Sequence, residues 1–507
     1  MALVRTISAE TAAGYGVNIL EDSPAAVVQG RGTRIVAIVG DFPWGPTDEP
    51  TLVGSGAELI EQFCPAEFQA ANDYLSMRAV MGLQFPSSLV VVRIAATSAA
   101  TAAKTFPHTG ATDAVDVTAR YEGVLGNRIR ISFADNATVP EDSDMTVKVL
   151  GSDGTTVRYS RTYLRAIVDG GAALSVSAEA AADPFVVTTI AAGAPDTAPD
   201  AVADSALDDV AGADGTGVAG DWSDALATLG DSSVTWNVGF GAEVPSAMVD
   251  TWNDAVTAFA DAQSGNRFLV HSTPASEDVA TALTNVDSAQ QSDRCLRPWR
   301  RVRVTNEYDP LRGLVTVDGN ADAAVAIASV DPWLSPGGAG GNKHMRRIKG
   351  VEAGVTATDA QLESLTDAGL TPIVISSALG PILRNARTTS IESADSRRVK
   401  VRRLTDYIVT AISDTLVQYA ERPLDVDIVN RRLGPVTLPE IGSIRTFLDQ
   451  LVGPALRSYQ LDPFGGNVQA NIDSGQWFII LRAKYLPAQE QIILRIQAGA
   501  HVSIEEG

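Results

Sequence analysis

The first candidate for chemistry is the hexapeptide Gly215-Thr216-Gly217-Val218-Ala219-Gly220, which has the G-x-G-x-x-G spacing of a dinucleotide-binding loop. Such a loop needs a buried strand directly before it, so that the turn delivers the pyrophosphate to a helix N-terminus. The preceding residues include Asp208, Asp209 and Asp214, whose carboxylates would repel a phosphate. The sequence therefore favours a flexible turn that leads into a helix. A nucleotide- or sugar-dependent cytosolic enzyme using the 215–220 loop is the alternative.

Two further segments begin like ligand-binding motifs and then depart from them. Residues 337–343 are glycine-rich, like a phosphate-binding loop, but Asn342 separates the glycines from the lysine and no strand precedes them. Residues 318–322 begin like a calcium loop, but Ala323 replaces the turn glycine and Ser329 replaces the bidentate glutamate. Neither segment predicts a site.

The remaining reactive side chains form no catalytic or metal-binding pattern. The four histidines, His108, His271, His344 and His501, are scattered, and His271 ends a predicted strand, where a structural role is expected. No G-x-S-x-G sequence occurs, and neither cysteine has a histidine nearby in sequence. We therefore predict no catalytic residue, no cofactor-binding residue, no metal site and no enzyme activity.

Composition excludes several classes of protein. The chain has 507 residues, with 39 Lys+Arg against 61 Asp+Glu, which gives a net charge of −22. An acidic protein is not expected to bind nucleic acid, because phosphate contacts require clustered Lys and Arg. The two cysteines, Cys64 and Cys295, exclude a disulfide framework and favour a reducing compartment. No signal-like segment or apolar run of about 18 residues occurs, so neither secretion by the usual route nor membrane insertion is expected.

Charge is distributed unevenly along the chain. Residues 166–266 contain no Lys or Arg and 16 carboxylates. Within them, residues 191–220 are rich in Ala and Asp, which predicts a solvated loop or linker. Residues 384–403 carry seven basic side chains. The protein is thus electrically polarised along its sequence.

Hydrophobic patterns predict alternating strands and helices on both sides of a region of short strands. Strands are expected at 34–40, 89–94, 233–240, 267–271 and 300–304, and helices at 56–63, 66–82, 221–229, 247–262 and 276–286. The short strands are expected at 128–133, 145–150, 155–159 and 185–190. Two long amphipathic helices, 396–419 and 440–458, and two strands, 477–485 and 490–497, close the chain.

Four segments together resemble the contractile tail sheath proteins of bacteriophages and related injection machines. They are Val36-Ala37-Ile38-Val39-Gly40 with Trp44-Gly45-Pro46 and the later Glu58-Leu59-Ile60-Glu61-Gln62-Phe63; Ala119-Arg120-Tyr121-Glu122-Gly123-Val124-Leu125-Gly126-Asn127-Arg128-Ile129; Asp214-Gly215 before Asp221-Trp222-Ser223-Asp224-Ala225-Leu226; and Ala386-Arg387-Thr388-Thr389 with Val401-Arg402-Arg403-Leu404-Thr405-Asp406-Tyr407-Ile408. Arg384-Asn385 departs from the family, many of whose members have Trp-Gly there. This leaves a phage, a tailocin or another contractile system open.

The fold class expected from pattern and resemblance is α/β (α+β) and multidomain. A mixed α/β core domain would be built from both ends of the chain, with an inserted β-rich domain and extended terminal arms. The expected divisions are 1–20 (N-terminal arm), 21–97 (first part of the α/β region), 98–210 (inserted outer domain with its acidic linker), 211–380 (central α/β sheath domain), 381–485 (tube-proximal α/β domain) and 486–507 (C-terminal strand and arm).

The resemblance implies a structural subunit that polymerises as hexameric rings stacked around an inner tail tube protein and contracts to drive the tube through a cell envelope. Baseplate and tail terminator proteins would be further partners. The particle would be a virion tail assembled in the host cytoplasm, or a tailocin in the cytoplasm of the producing bacterium. The β-capable arms would add strands to neighbouring subunits through Val17, Ile19, Leu20, Ile492, Ile493 and Leu494.

The basic segment supplies the candidates for contact with the tube: Arg397, Arg398, Lys400, Arg402 and Arg403. Clustered charges at an interface rim act on association and are screened by salt. The alternative is a helix end whose charges are simply solvated.

Overall fold

The computed structural model describes most of the chain between residues 34 and 486. The described residues are 34–65, 74–108, 112–170, 173–192, 198–231, 234–262, 267–286, 288–306, 313–392, 397–416, 425–435, 437–465, 467–468, 472, 477 and 479–486. They fall into two units, one within Gly32–Arg403 and the other from Leu404 onward. The arm residues Val17, Ile19, Leu20, Ile492, Ile493 and Leu494 lie outside the described residues.

The strands and helices of both units are numbered in chain order. The strands are β1 (Val36–Gly40), β2 (Thr51–Val53), β3 (Leu89–Arg93), β4 (Ala103–His108), β5 (Thr112–Ala119), β6 (Ile129–Asp135), β7 (Ser143–Leu150), β8 (Val157–Asp169), β9 (Leu174–Val176), β10 (Val186–Ile190), β11 (Val202–Ala206), β12 (Val238–Ala242), β13 (Phe268–Val270), β14 (Cys295–Trp299), β15 (Val302–Thr305), β16 (Leu314–Val317), β17 (Ile348–Val351), β18 (Leu370–Ser376), β19 (Gly380–Leu383), β20 (Val426–Asp427), β21 (Arg432–Leu433), β22 (Leu456–Asp462) and β23 (Ile480–Tyr485). The helices are α1 (Gly56–Phe63), α2 (Leu75–Val80), α3 (Ala178–Ala181), α4 (Ala219–Thr228), α5 (Val249–Ala262), α6 (Val279–Thr284), α7 (Asn320–Ser329), α8 (Asp359–Asp367), α9 (Val399–Leu416) and α10 (Leu438–Leu451). None of the helices that the structure describes is long and apolar enough to span a membrane.

An eight-stranded sheet forms the centre of the first unit, in the order β2-β3-β1-β12-β13-β14-β18-β19. The six inner strands run parallel, and β2 and β19 pair antiparallel at the edges. Val36 and Ile38 of β1 pack into a core with α1, α2 and α7, whereas Ala37 and Val39 pack on the other face with α4 and α5. A parallel sheet covered on both faces explains why its strands are continuous apolar runs.

The insert between β3 and α4 contains two antiparallel sheets, ordered β10-β5-β4 and β11-β6-β7-β8-β9. Their inner faces share one core, which includes Val117, Ile131, Met145, Val147 and Phe185. A further sheet, β16-β15-β17, is formed by the part of the chain between β14 and β18 of the eight-stranded sheet. The expected mixed α/β, multidomain fold class is confirmed.

The second unit combines helix α10 with the hairpins β20-β21 and β22-β23. Helix α10 buries Ile441, Ile444, Phe447, Leu448 and Leu451, as the periodicity predicts. The prediction that this helix continues to residue 458 is wrong. Gly453, with φ +102°, and Pro454 end it, and β22 begins at Leu456.

Two other sequence predictions need correction. The acidic segment 191–220 is not a loose linker. Strand β11 pairs with β6, and isolated bridges join Ala213 to Ala100 and Val210 to Ala103. The strand expected at 300–304 is β15, and the preceding buried strand, β14, was missed.

Candidate functional site: the insert junction and the basic segment

The parallel sheet creates a crevice where its strand order reverses. The chain passes from β1 to β3 on one side and later returns to β12 on the other, so the reversal lies between β1 and β12. In doubly wound proteins, ligands bind outside the carboxyl ends of the strands at this point. Here Asp41 follows β1, Glu243 follows β12, and the crevice encloses about 430 Å³.

The walls of this crevice are acidic. Three carboxylates, Asp41, Asp214 and Glu243, line it against one arginine, Arg128, and Glu243 is paired with Arg301 outside the lining. Tyr74 also lines it, and its hydroxyl donates a 2.8 Å hydrogen bond to Asp214 Oδ2. The side chain of Asp41 still reaches solvent, but burial within the crevice and then the neighbouring Asp214 raise its pKa to about 6, against the influence of Arg93. Carboxylates thus outnumber the single arginine in the lining, which disfavours phosphate binding.

The glycine loop at the crevice is tied to the protein's own backbone. Gly215 has φ +72°, and a Cβ there would lie 2.6 Å from both Ala99 N and Thr97 O, so only glycine fits. Asp221, in the first turn of α4, accepts hydrogen bonds from Val218 N–H and from the N–H and hydroxyl of Thr97. This carboxylate places a negative charge at the helix N-terminus, where a pyrophosphate would have to bind. The loop therefore leads into a helix, as the sequence favours.

Arg93 connects the eight-stranded sheet to the insert. It ends β3, it is 3% exposed, and its guanidinium donates to the carbonyl oxygens of Phe42, Gly45 and Glu122 at 2.7, 2.9 and 2.9 Å. Two of these carbonyls belong to the segment after β1, and the third belongs to the segment between β5 and β6 of the insert. One buried cation thus fixes two chain segments through backbone acceptors.

The glycine and asparagine residues next to Arg93 complete the connection. Gly123 has φ +124°, and a Cβ there would crowd Asp214 Oδ1 at 2.9 Å and Arg93 Nη2 at 3.3 Å. The Asn127 amide donates to Gly212 O at 2.9 Å and accepts from Gly212 N–H at 2.7 Å. We call Arg93, Gly123, Asn127, Gly212 and Asp214 the insert junction.

The insert junction brings together two segments that the resemblance singled out separately. Val124 N–H donates to Asp214 Oδ1 at 2.8 Å, which joins residues 119–129 to the Asp214-Gly215 turn. Their signature therefore reflects backbone geometry where the segment between β5 and β6 meets the segment by which the chain leaves the insert. Sequence reasoning missed Arg93, although a charged residue at the end of the apolar run 89–92 was a signal for it.

The other candidate motifs are structural. In the second glycine-rich segment, a Cβ on Gly340 or Gly341 would collide with the carbonyl oxygens of Ser335 or Pro336. His271 is fully buried, its Nε2 lies 3.0 Å from the Thr257 hydroxyl, and burial followed by the charge of Arg297 lowers its pKa to about 3. Among the described residues, no group of three or more His, Cys, Asp or Glu side chains is placed to hold a metal ion.

The basic segment, residues 397–403, does not form one charged face. Arg397 donates to Ile391 O at 2.8 Å, and Arg402 pairs with Asp293 at 3.0 Å. Arg403 is 4% exposed and donates to Val330 O at 3.0 Å; burial lowers its pKa to about 10, although Asp331 opposes the shift. Arg398 and Lys400 are half-buried, and burial and then Arg398 lower the pKa of Lys400. Contact with a tube stays a prediction for these residues, and the burial of Arg403 weighs against its participation.

No protein-family model matches the sequence, and no curated protein matches it. Solved structures do. The sheath tail protein from Listeria innocua superposes with a TM-score of 0.59 at 14% identity, covering 90% of this chain and 96% of that chain.

Two further structures give the same result. The sheath tail protein from Desulfitobacterium hafniense gives a TM-score of 0.55 at 15% identity, covering 93% of this chain and 100% of that one. The contracted sheath complex of the extracellular contractile injection system PVC gives 0.55 at 14% identity, covering 97% and 99%. This chain therefore has the fold of the sheath proteins of contractile tails and contractile injection systems.

Proposed function

We propose that this chain is the structural subunit of a contractile sheath, which polymerises around an inner tube and contracts to drive the tube through a cell envelope. The observation that carries the proposal is the extent of the fold match. It covers 90–97% of this chain and 96–100% of sheath proteins from three different sources. A match over both units is more specific than a shared α/β sheet, which hosts many unrelated functions.

The chemistry of the crevice supports a mechanical role over the enzyme alternative. The position where a doubly wound enzyme would bind phosphate holds Asp41, Asp214 and Glu243, and the N-terminus of α4 is already occupied by Asp221. A nucleotide would have to displace the Asp221 carboxylate and approach further carboxylates. Titration of the full chain with ATP and NAD in a calorimeter should give no binding; micromolar binding would favour the enzyme.

The mechanical output follows from stored conformational energy. The subunits assemble in an extended state, which has a higher free energy than the contracted state. They contract when a baseplate releases them, so no nucleotide is hydrolysed. The partners are further copies in stacked hexameric rings, an inner tail tube protein, and baseplate and tail terminator proteins. The particle is a phage tail assembled in the host cytoplasm, or a tailocin.

Negative-stain microscopy of the purified chain tests the central claim. Rings, tubes or striated cylinders are expected. A protein that stays monodisperse at all concentrations, with a cooperative melt to show that it is folded, would contradict the sheath assignment.

The terminal arms are proposed to link neighbouring subunits by strand addition. Each backbone hydrogen bond gained contributes roughly 0.5–1.5 kcal/mol net, so four to six bonds contribute a few kcal/mol per junction. Deletion of residues 2–20 should leave a folded monomer that no longer forms cylinders. Normal cylinders from the truncated chain would show that the arm is not needed for assembly. An unfolded product would mean that the segment belongs to the subunit's own core.

The insert is proposed to face outward and to be dispensable for assembly. Excision of residues 98–210 with a short Gly-Ser bridge tests this. Trp44 packs edge-to-face on Tyr121 at 5.3 Å and near Phe185 at 6.0 Å, so excision exposes it. The excised chain should therefore be compared with and without Trp44→Ser. If the excised chain lost both folding and polymerisation, with Trp44 and with Trp44→Ser, the proposal would be contradicted.

The basic segment is proposed to contribute to the tube-facing surface through Arg397 and Arg398. Arg397→Glu with Arg398→Glu should weaken binding to the tube partner, and binding of the unmodified chain should weaken as salt rises. Arg432→Glu with Arg445→Glu, at two exposed positions of the second unit, is the matched control for net charge. Equal tube binding by all three proteins would exclude the segment from the tube contact.

A further inference from the structure

The two ends of strand β1 lie beside surfaces of opposite charge. Arg34 lies just before β1 in the chain. Asp48 lies at the other end, since its N–H donates to the carbonyl oxygen of Arg93, and Arg93 pairs with Gly40, the last residue of β1. The five residues of β1 separate these ends by about 15 Å. Charge in the first unit is therefore divided along the direction of this strand.

Four exposed cations lie at the amino end of β1: Arg34, Lys343, Arg346 and Lys349. We call them the amino-end patch. The Lys349 ammonium donates to the carbonyl oxygen of Arg346 at 3.3 Å. The pKa of the neighbouring His344 is lowered by burial and then by the cations around it, among which is Arg34. Within the described part of the chain, the carboxylate paired with this patch is Asp331, 3.6 Å from the Arg34 guanidinium, so the patch keeps a net positive charge.

Four carboxylates lie at the other end of β1: Asp48, Glu49, Glu122 and Asp224. We call them the carboxyl-end patch. Burial raises the pKa of Asp48, although a backbone hydrogen bond opposes the shift. The charges of Asp224 and Glu122 raise it further, so these carboxylates are close enough to repel one another. The buried Arg93 attracts Glu122 from below, but Asp48, Glu49 and Asp224 are exposed.

We propose that the amino-end patch of one copy docks on the carboxyl-end patch of a second copy. A net charge of −22 makes copies repel one another overall, so a contact between them needs a local patch of the opposite sign. Contacts between two amino-end patches or two carboxyl-end patches would set like charges against each other. Because the two patches lie at opposite ends of one strand, each docked copy still presents a free patch, and the contact can repeat from copy to copy.

The inference deepens the proposed function and rests on it for the presence of many copies in one assembly. The terminal arms would join neighbouring copies through backbone hydrogen bonds. The two patches would determine which ends of two copies face each other and how fast the copies associate.

Charge exchange between the patches tests the pairing. Lys343→Glu with Arg346→Glu makes the amino-end patch acidic, and Glu49→Lys with Asp224→Lys makes the carboxyl-end patch basic. Each reversed chain then carries two patches of one sign, so alone it should associate about tenfold more weakly than the unmodified chain at low salt. In an equal mixture every patch meets one of opposite sign, and association should return to that of the unmodified chain. Sedimentation velocity measures it, and the mixture has the mean net charge of the unmodified chain.

Two further pairs of substitutions control for charge reversal outside the patches. Arg432→Glu with Arg445→Glu matches the first pair, and Asp250→Lys with Asp254→Lys matches the second; all four positions are exposed. Both control chains should associate as the unmodified chain does.

Thermal melts show whether each reversed chain is folded. Should one of them melt early, neutral replacements take their place: Lys343→Gln with Arg346→Gln, and Glu49→Gln with Asp224→Asn. Each neutral chain should associate more weakly than the unmodified chain. Their mixture should stay weak, because no opposite charges are restored.

Three results would overturn the proposal: unchanged association of either reversed chain alone, no recovery in the mixture, or equal weakening by the control pairs. Cylinders are scored separately by negative-stain microscopy. Cylinders formed alike by every chain would reject the patch pairing and leave the proposed function standing. Recovery of association in the mixture, with no cylinders from the unmodified chain, would reject only the sheath.

Discussion

The insert junction and the basic segment both contain a buried arginine, and they use it differently. At the insert junction, Arg93 donates to three backbone carbonyls. In the basic segment, Arg403 donates to one carbonyl, Val330 O, and its Nη1 has no hydrogen-bond partner among the described residues. A guanidinium has five N–H donors, so the cost of burying it depends on how many are satisfied. The partners of a charged group, and not the charge density of its segment, therefore determine its role.

Replacing Arg93 by Met should have the largest effect on stability. Met keeps the length of the side chain but leaves the carbonyls of Phe42, Gly45 and Glu122 without their donor in a buried setting. We expect the free energy of unfolding to fall by about 3–5 kcal/mol. Urea unfolding followed by tryptophan fluorescence measures it.

Arg158→Met is the matched control, because Arg158 is exposed on β8 and should change stability by less than about 0.5 kcal/mol. A loss below about 1 kcal/mol for Arg93→Met would show that water replaces the guanidinium and that the insert junction is not held by it.

The sequence could predict the parts of the fold in which local pattern and tertiary environment agree. The run 34–40 became β1, residues 56–63 became α1, and the Gly-x-x-Gly-Asn element marked the insert junction. A turn that needs glycine for its φ, or a side-chain amide for a backbone pair, leaves a signature in residue type alone. The contacts between these segments could not be predicted, because they join residues about 85 positions apart.

The missed elements are those in which a partner elsewhere in the chain compensates for an unfavourable residue. Strand β14 contains Pro298 and the buried Arg297. The Arg297 guanidinium pairs with Glu277 at 2.7 Å and also donates to Gln290 and to the carbonyl of Asn285. Strand β11 lies in an acidic, alanine-rich segment and is held by Lys148 and β6. Composition cannot reveal such compensation.

The second prediction concerns the reciprocal pair at the insert junction. Asn127→Ala removes both hydrogen bonds to Gly212, and the part-buried N–H and C=O of that glycine lose their partners. We expect a loss of about 1–3 kcal/mol. Asn430→Ala, at an exposed turn where the side-chain amide donates to nearby Asp427, should cost less stability and serves as the control. Equal losses of unfolding free energy for the two variants would mean that water readily replaces the Asn127 amide at Gly212.

The third prediction concerns the basic segment. Arg403→Met replaces an incompletely bonded buried cation by an apolar side chain of similar length, and only Val330 O loses a donor. Such replacements are often neutral or stabilising, so we expect a change within about 1 kcal/mol of zero. A loss as large as that for Arg93→Met would abolish the contrast between the two regions.

The smallest effect should be a change in the pH dependence of stability at the crevice beside the insert junction. Burial, followed by the charge of Asp214, raises the pKa of Asp41 from 3.8 to about 6, while Arg93 opposes the shift. Between these two values the folded protein holds a proton that the unfolded chain has released, so this group's contribution to stability falls as the pH rises. Asp41→Asn should remove that fall, and the difference in unfolding free energy between variant and unmodified protein should grow from pH 4 to pH 6.

Asp208→Asn is the control. The pKa of the exposed Asp208 is lowered, chiefly by the hydrogen bond from Lys104, so this variant should change the pH dependence of the unfolding free energy only below about pH 4. If the unfolding free energies of Asp41→Asn and the unmodified protein changed equally with pH, Asp41 would be fully hydrated in the crevice.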